Sequence, residues 1–243
     1  MKAELKKQIK QDEFAGGLSK SIGWVREHER EATVTAVVVL VLAASWLGFS
    51  TWSSNRAQAA EEAFAGALKT YHAPLAGEAP PEGSPKVYAS AAERYRQAAQ
   101  EFAEVSRRYG SLPAARRARY YEGLSRLELG QYDEAAKALG EVAAARDGKA
   151  LAPDLARLSL ASLEMRRGKV DDGLKLYRQM ADDSGLALPR DHVLMVLSSA
   201  LEEARRLPEA RDTYRRLAEE FPGSVYASEA RRRADFLKNV AAS

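Results

Sequence analysis

The hydrophobic positions of this chain form a pattern that returns four times, at a spacing of 37 or 38 residues. Within each set the steps are three, four and three residues, which place the members on one face of an α-helix. A fixed period of this length is typical of stacked helical hairpins, which bury a continuous core only against their neighbours. We therefore predict an all-α solenoid of helical hairpins. The four sets are Tyr95, Ala98, Phe102, Val105; Tyr132, Ala135, Leu139, Val142; Val170, Gly173, Tyr177, Met180; and Leu207, Ala210, Tyr214, Leu217.

Prolines and glycines divide this pattern into separate helices, because prolines are favoured near helix starts and glycines between helices. Tyr88, Tyr95, Phe102 and Tyr109 recur every seven residues and predict one long helix over Tyr88–Tyr109. No stretch alternates with period two, so no sheet is predicted. The later helices are predicted over Pro113–Leu129, Tyr132–Ala145, Pro153–Arg167, Asp171–Ala181 and Pro189–Arg205. The next helix has Pro208 near its start and ends near Phe221-Pro222, and a last helix follows Ser224 and reaches Val240.

An uncharged apolar stretch of 24 residues, Ala32–Asn55, precedes the repeats. As a helix it would reach about 36 Å, enough to cross a hydrocarbon core of about 30 Å. Two tryptophans lie toward its C-terminal end, where such rings tend to sit at the headgroup level. We predict one transmembrane helix, represented by Ala32, Val39, Leu42, Trp46 and Trp52.

The distribution of basic residues predicts the orientation of this helix. The first 31 residues carry seven Lys/Arg, whereas the twenty positions after the apolar stretch carry two. The positive-inside rule then favours a cytoplasmic N-terminus and a large C-terminal domain outside the cytoplasm. A cleaved signal peptide is the alternative, since Ala57-Gln58-Ala59 has the small residues of a cleavage site. The leading polar region is long for a signal peptide, which favours a retained anchor.

A proline-rich segment follows the apolar helix and its polar continuation. Four of the nine prolines lie within residues 72–86, which predicts a semi-rigid spacer rather than a helix. The predicted division is a cytoplasmic tail (1–31), a transmembrane helix (32–55), a helical stalk (56–71), the spacer (72–86) and a helical repeat domain (87–243).

Composition gives no support to a catalytic or metal-dependent function. The chain has no cysteine, and its three histidines, His28, His72 and His192, lie far apart in sequence. No metal-binding, nucleophile or phosphate-loop motif occurs, so we predict neither an enzyme nor a cofactor. The net charge of +3 is small, and the basic clusters at 116–119 and 231–233 are typical of solvated helix faces. Nucleic-acid binding by a helical solenoid would require a continuous basic strip and is not favoured.

Three of the repeats resemble the tetratricopeptide repeat family. In that family a small residue precedes by seven the glycine between two helices, and a Tyr-x-x-Ala-x-x-x-aromatic run opens the second helix. Gly123 and the run Gly130-Gln131-Tyr132-Asp133-Glu134-Ala135 fit this pattern, as do Ala161 and Gly168 to Tyr177. Ser198 and the run Leu207 to Tyr214 lack the glycine, and Pro222 stands at the family's closing proline. The resemblance covers roughly residues 114–240.

The order of segments is similar to that of the YfgM-type, membrane-anchored tetratricopeptide proteins of bacterial envelopes. This resemblance implies an inner-membrane protein with a periplasmic repeat domain, which passes newly exported chains from the Sec translocon to periplasmic chaperones. The run Phe221-Pro222-Gly223-Ser224 also resembles repeats of envelope-division and outer-membrane assembly factors. An adaptor in one of those processes is therefore the alternative.

The family resemblance implies that the first helix of each hairpin lines a surface for other proteins. By analogy the candidate partner-binding residues are Arg119, Arg126, Arg157 and Met165. The expected ligand is a peptide or helix segment of another protein. A second copy of the chain is a further candidate partner, because Ala44 and Gly48 form a small-xxx-small pair in the apolar helix.

Overall fold

The computed structural model describes residues 29–77, 86–110, 112–145 and 150–240. Over these ranges the protein contains nine α-helices and no strand, so the predicted all-α class is confirmed. The helices are α1 Glu29–Tyr71, α2 Ala91–Tyr109, α3 Pro113–Glu128, α4 Tyr132–Ala143, α5 Leu151–Arg166, α6 Val170–Asp182, α7 Arg190–Glu203, α8 Leu207–Glu220 and α9 Ala227–Val240. The chain divides into two compact units, residues 1–56 and 57–243.

The described part of the first unit is the N-terminal half of α1. By length and composition α1 is apolar enough to cross a membrane. The large side chains of the predicted transmembrane stretch are exposed, from Val39 and Leu42 to Trp46 and Trp52. Such a surface is unfavourable in water and suits contact with lipid. The predicted tail lies outside the described residues up to position 28.

The second unit is a stack of antiparallel helix hairpins. Close contacts join each helix from α2 to α9 to the next one along the chain, and α3 also contacts α5. Six of the eight predicted core residues are buried, whereas Tyr95 and Tyr132 are partly buried. The buried six are Phe102, Ala135, Leu139, Tyr177, Ala210 and Tyr214. The repeating sets therefore mark the contact faces of successive hairpins.

The predicted stalk packs into the first part of this stack. Phe64 of α1 is 7% exposed and lies 5.9 Å from the ring of Phe102 and 5.8 Å from that of Tyr121, measured between centroids. Ala60 and Ala67 are buried in the same cluster. The predicted division puts this segment outside the repeat domain, but its apolar side chains are covered by α2 and α3.

Backbone hydrogen bonds join the start of the spacer to the residues that follow it. The backbone N–H of Ala76 donates to the carbonyl of Tyr88 at 2.8 Å, and the N–H of Tyr88 donates to the carbonyl of Pro74 at 3.1 Å. Tyr88 therefore does not begin the long helix, which was predicted to start there. That helix starts at Ala91, because the Ser90 hydroxyl accepts a hydrogen bond from the N–H of Glu93 and caps it. The prolines between these ends fall among residues 78–85, outside the described residues.

In three hairpins, a turn of the same kind connects the first helix to the second. The turn residues Gly130, Gly168 and Arg205 all have positive φ, at 71°, 81° and 59°. In each case the next residue donates its N–H to a carbonyl five positions back, at 2.9 Å, as in a Schellman cap. These three bonds run from Gln131 to Arg126, from Lys169 to Glu164 and from Arg206 to Leu201. The third repeat, which lacks the glycine, thus keeps the same turn. Its turn residue, Arg205, has a positive φ that is unfavourable for a residue with a side chain.

Replacing Arg205 by glycine is expected to raise the free energy of unfolding by about 0.5–1 kcal/mol, because only glycine adopts this angle without a steric penalty. Arg205 is exposed, so removing its side chain costs few packing contacts. Urea unfolding of the full chain, followed by circular dichroism, measures the change. Arg205→Ala is the control, since it removes the charge and keeps the Cβ atom. Equal stability of the two variants would show that the backbone angle is not the cause.

Candidate functional site: a groove between α5 and α7

An open groove of about 640 Å³ lies between the first helices of two successive hairpins, α5 and α7. Helix α6 and the segment before α9 complete its lining. Its size is in the range of sites that hold a short stretch of polypeptide or a small molecule. The lining residues are Ser162, Met165, Arg166, Val170, Tyr177, His192, Met195, Val196, Ser199, Ala200, Glu203, Ala204 and Tyr226.

The groove lining combines polar side chains with an aliphatic surface. Met165 faces it from α5, and Met195 and Val196 face it from α7. Methionine side chains are unbranched and polarizable, so they adapt to ligands of different shape. An aliphatic surface with two methionines is therefore suited to apolar side chains of more than one kind.

The buried phenol of Tyr177 contributes to this lining from α6. Burial raises its pKa above the ordinary value, while a hydrogen bond with Ser162 lowers it. The carboxylate of Glu203 adds to the increase in pKa, and the guanidinium of Arg166 opposes it. Both charged groups are therefore close enough to the phenol to influence its pKa.

Hydrogen bonds and an ion pair fix the two ends of the groove. At one end the Arg166 guanidinium lies 3.0 Å from the carboxylate of Glu128 on α3. At the other, His192 Nδ1 lies 3.2 Å from the Tyr226 hydroxyl. The Ser224 hydroxyl donates to Asp191 at 2.6 Å and ties the segment before α9 to the start of α7. The groove is thus bounded by contacts within the protein.

Two of the predicted partner-binding arginines form ion pairs within the protein. Arg119 and Arg126 both contact the carboxylate of Glu122, at 2.8 and 3.0 Å. Glu122 is only 4% exposed, and Arg119 also contacts Glu141 at 2.8 Å. Leaving a buried carboxylate without a cation is costly. In this arrangement the two arginines neutralise Glu122, and their charges are already compensated.

The other two predicted residues lie in different places. Met165 lines the groove, whereas Arg157 lines a smaller pocket of about 260 Å³ between α5 and α6. The Arg157 guanidinium lies 3.6 Å from Asp154 and 3.8 Å from Asp183. The four candidates therefore do not share one surface.

Residues that sequence analysis did not single out supply most of the groove. Counted back from the turn residue, Ser162 and Ser199 stand at the sixth position, and Arg166 and Glu203 at the second. Arg126, by contrast, stands at the fourth position before its turn. Two positions correspond to about 200° of rotation about a helix axis. Arg126 therefore lies on nearly the opposite side of its helix from the position that Arg166 and Glu203 share. Aligning the three turns in the sequence would have identified the positions that face the groove.

The described residues contain no group of three or more His, Asp or Glu side chains that could hold a metal ion. His72 contacts Tyr71 edge to face, with ring centroids 5.0 Å apart, and His192 belongs to the groove. His28 lies outside the described residues. The arrangement can bind a ligand by apolar contact and charge, and no feature of it supports a catalytic step.

Comparisons with known proteins identify a family and two similar solved structures. The family model described as a tetratricopeptide repeat-like domain matches residues 23–214. Two solved structures of a Podosopora anserina putative kinesin light chain with nearly identical TPR-like repeats, one of them a point variant, are similar to the chain at 14% and 13% identity. Each match has a TM-score of 0.47 and covers 62% of this chain and 80% of the solved one. No curated protein matches the sequence.

Proposed function

Because this chain belongs to the tetratricopeptide repeat-like domain family, we propose that it is a membrane-anchored scaffold that binds segments of other proteins in the groove between α5 and α7. Domains of this kind generally bind other proteins. The observation that carries the proposal is the open groove with its aliphatic surface, formed by Met165, Met195 and Val196. The hairpins hold this apolar surface open to solvent, where another polypeptide can cover it.

The membrane anchor is the apolar half of α1. Its exposed valines, leucines and tryptophans support insertion into a bilayer. The excess of Lys/Arg before it supports a cytoplasmic N-terminus and a repeat domain outside the cytoplasm. Protease added to spheroplasts that express the chain should therefore digest the repeat domain. Protection of that domain would contradict this orientation.

The cellular role that we propose follows from this topology. A groove for polypeptide segments on the outer side of a bacterial inner membrane would meet chains as they leave the Sec translocon, and could pass them to periplasmic chaperones. The resemblance to YfgM-type proteins supports this assignment. An adaptor in envelope division or outer-membrane assembly is the second candidate, favoured by the run Phe221-Pro222-Gly223-Ser224. Crosslinking in cells, followed by mass spectrometry, distinguishes the two by the partners captured.

The groove can be tested directly with a photoreactive amino acid at position 199, which is exposed and lines it. We expect crosslinks to polypeptides from this position. Adding Met195→Lys should weaken them about tenfold or more, since a charge on an apolar contact surface costs more than 1.4 kcal/mol. Circular dichroism checks that the variant is folded.

The control is the same photoreactive residue at position 175, an exposed site on α6 outside the groove lining. Crosslinks from position 175 should be weak and insensitive to Met195→Lys. Equal crosslinking from both positions, or crosslinks from position 199 that persist in Met195→Lys, would remove the groove as the binding site.

A further inference from the structure

A column of alternating charge crosses three successive hairpins next to the groove. Glu128, Arg166 and Glu203 each stand two positions before the turn residue of their hairpin, at Gly130, Gly168 and Arg205. Because the turns are equivalent, these three side chains occupy the same place in the three first helices. Their charges are negative, positive and negative in order along the stack.

The first two members of the column neutralise each other. The Arg166 guanidinium lies 3.0 Å from the carboxylate of Glu128, with both side chains partly exposed. Within the part of the chain that the structure describes, no hydrogen bond or ion pair engages the carboxylate of Glu203. That carboxylate is exposed and lines the groove. Arg166, the cation of the groove lining, is thus paired with Glu128, and among the described residues no cation lies within ion-pair distance of the Glu203 carboxylate.

The position of Glu203 relative to the aliphatic surface defines what would fit. Met195 and Val196 precede Glu203 by eight and seven residues on α7. At 1.5 Å per residue the carboxylate lies about 11 Å along the helix axis from these apolar contacts. His192, the other titratable residue of this wall, is held by the Tyr226 hydroxyl at 3.2 Å.

We propose that the groove selects polypeptide segments in which a lysine or arginine lies about 11 Å from a bulky apolar anchor. The anchor covers Met195 and Val196, and the cation pairs with Glu203 and continues the alternation of the charge column. This preference rests on the groove being the binding site proposed above. It names the class of partner sequence rather than one partner.

The probe is a labelled amphipathic helical peptide with a leucine anchor and one lysine two helical turns away. Glutamine and glutamate versions of the same peptide complete the set. Affinities are measured by fluorescence anisotropy with the full chain in lipid nanodiscs, after subtraction of empty nanodiscs. We expect the lysine peptide to bind about three- to fivefold more tightly than the glutamine peptide, as for a solvent-exposed ion pair. The glutamate peptide should bind most weakly.

Variants at position 203 assign this preference to one carboxylate. Glu203→Gln should abolish the difference between the lysine and glutamine peptides, and Glu203→Lys should reverse the order of the lysine and glutamate peptides. Glu134→Gln is the matched control, because Glu134 is an exposed glutamate on α4 outside the groove lining. It should leave the preference unchanged.

Two results would overturn the inference while leaving groove binding intact. They are equal affinities for the three peptides, and a preference that survives Glu203→Gln. Absence of binding by all three peptides would overturn it as well, and the crosslinks from position 199 would then show whether the proposed function fails with it.

Discussion

Replacing Phe64 by alanine is expected to lower the free energy of unfolding of the repeat domain by about 3–5 kcal/mol. The Phe64 ring is buried against Phe102 and Tyr121, and the Arg117 guanidinium lies 4.7 Å from its centroid. Removal of the ring loses its apolar burial and leaves a cavity among side chains of three helices. Thermal and urea unfolding of the full chain in detergent micelles, followed by circular dichroism, gives the change.

The control is Phe49→Ala, which makes the same substitution on the same helix. Phe49 is 65% exposed and belongs to the apolar stretch. Its loss should change the unfolding of the repeat domain by less than about 0.5 kcal/mol, as for other surface substitutions. If Phe64→Ala were as mild as Phe49→Ala, the C-terminal half of α1 would not be part of the folded domain.

A consequence of this packing concerns how the repeat domain can be isolated. A fragment that begins after the proline-rich segment lacks Phe64 and Ala60, and it exposes the faces of α2 and α3 that these residues cover. A fragment that begins at Ala57 retains them. The boundary predicted from composition at residue 87 and the boundary set by packing at Ala57 thus differ by the helical segment 57–71 and the spacer 72–86.

The positions of most helices could be predicted from sequence because the necessary information is local. Steps of three and four residues set which side of a helix is apolar, and a proline or glycine ends it. The predicted start of α4 at Tyr132 agrees with the structure for this reason. Tyr88 was misplaced because its backbone pairs with Pro74 and Ala76, and this contact leaves no periodic signal.

The membership of Phe64 in the core and the position of the groove depend on contacts between distant segments. An apolar residue on an isolated amphipathic pattern indicates a buried face without indicating which helix covers it. Arg126 and Arg166 both look like exposed cations in the sequence. Only the packing shows that Arg126 contacts a buried carboxylate, whereas Arg166 stands at the groove. Side-chain direction about the helix axis decides the difference.

Replacing Gly173 by alanine is expected to lower the free energy of unfolding by about 1–3 kcal/mol, because the added methyl group overpacks the contact between α5 and α6. A Cβ atom at this position would lie 2.4 Å from Met165 Cγ and 2.7 Å from the carbonyl oxygen of Ala161. The carbonyl belongs to a helix backbone and cannot rotate away, so the two helices must separate.

The matched control is Gly140→Ala in the second helix of the preceding hairpin. A Cβ atom at Gly140 meets no atom within 4 Å. Alanine there should stabilise the chain by about 0.5–1 kcal/mol, the ordinary difference between glycine and alanine inside a helix. The same chemical change is thus expected to have opposite signs in two helices, and urea unfolding of both variants measures it. Two stabilising substitutions would contradict the close approach of α5 and α6.

The Gly173 substitution also connects core packing with binding, because Met165 is the side chain that must move. Met165 lines the groove, so the added methyl group shifts a side chain of the surface that a ligand would contact. We therefore expect Gly173→Ala to weaken crosslinking from position 199 even at temperatures where the domain remains folded, and Gly140→Ala to leave it unchanged. If Gly173→Ala reduced stability and left the crosslinks intact, Met165 would belong to the core alone, and the ligand surface would be formed by α7.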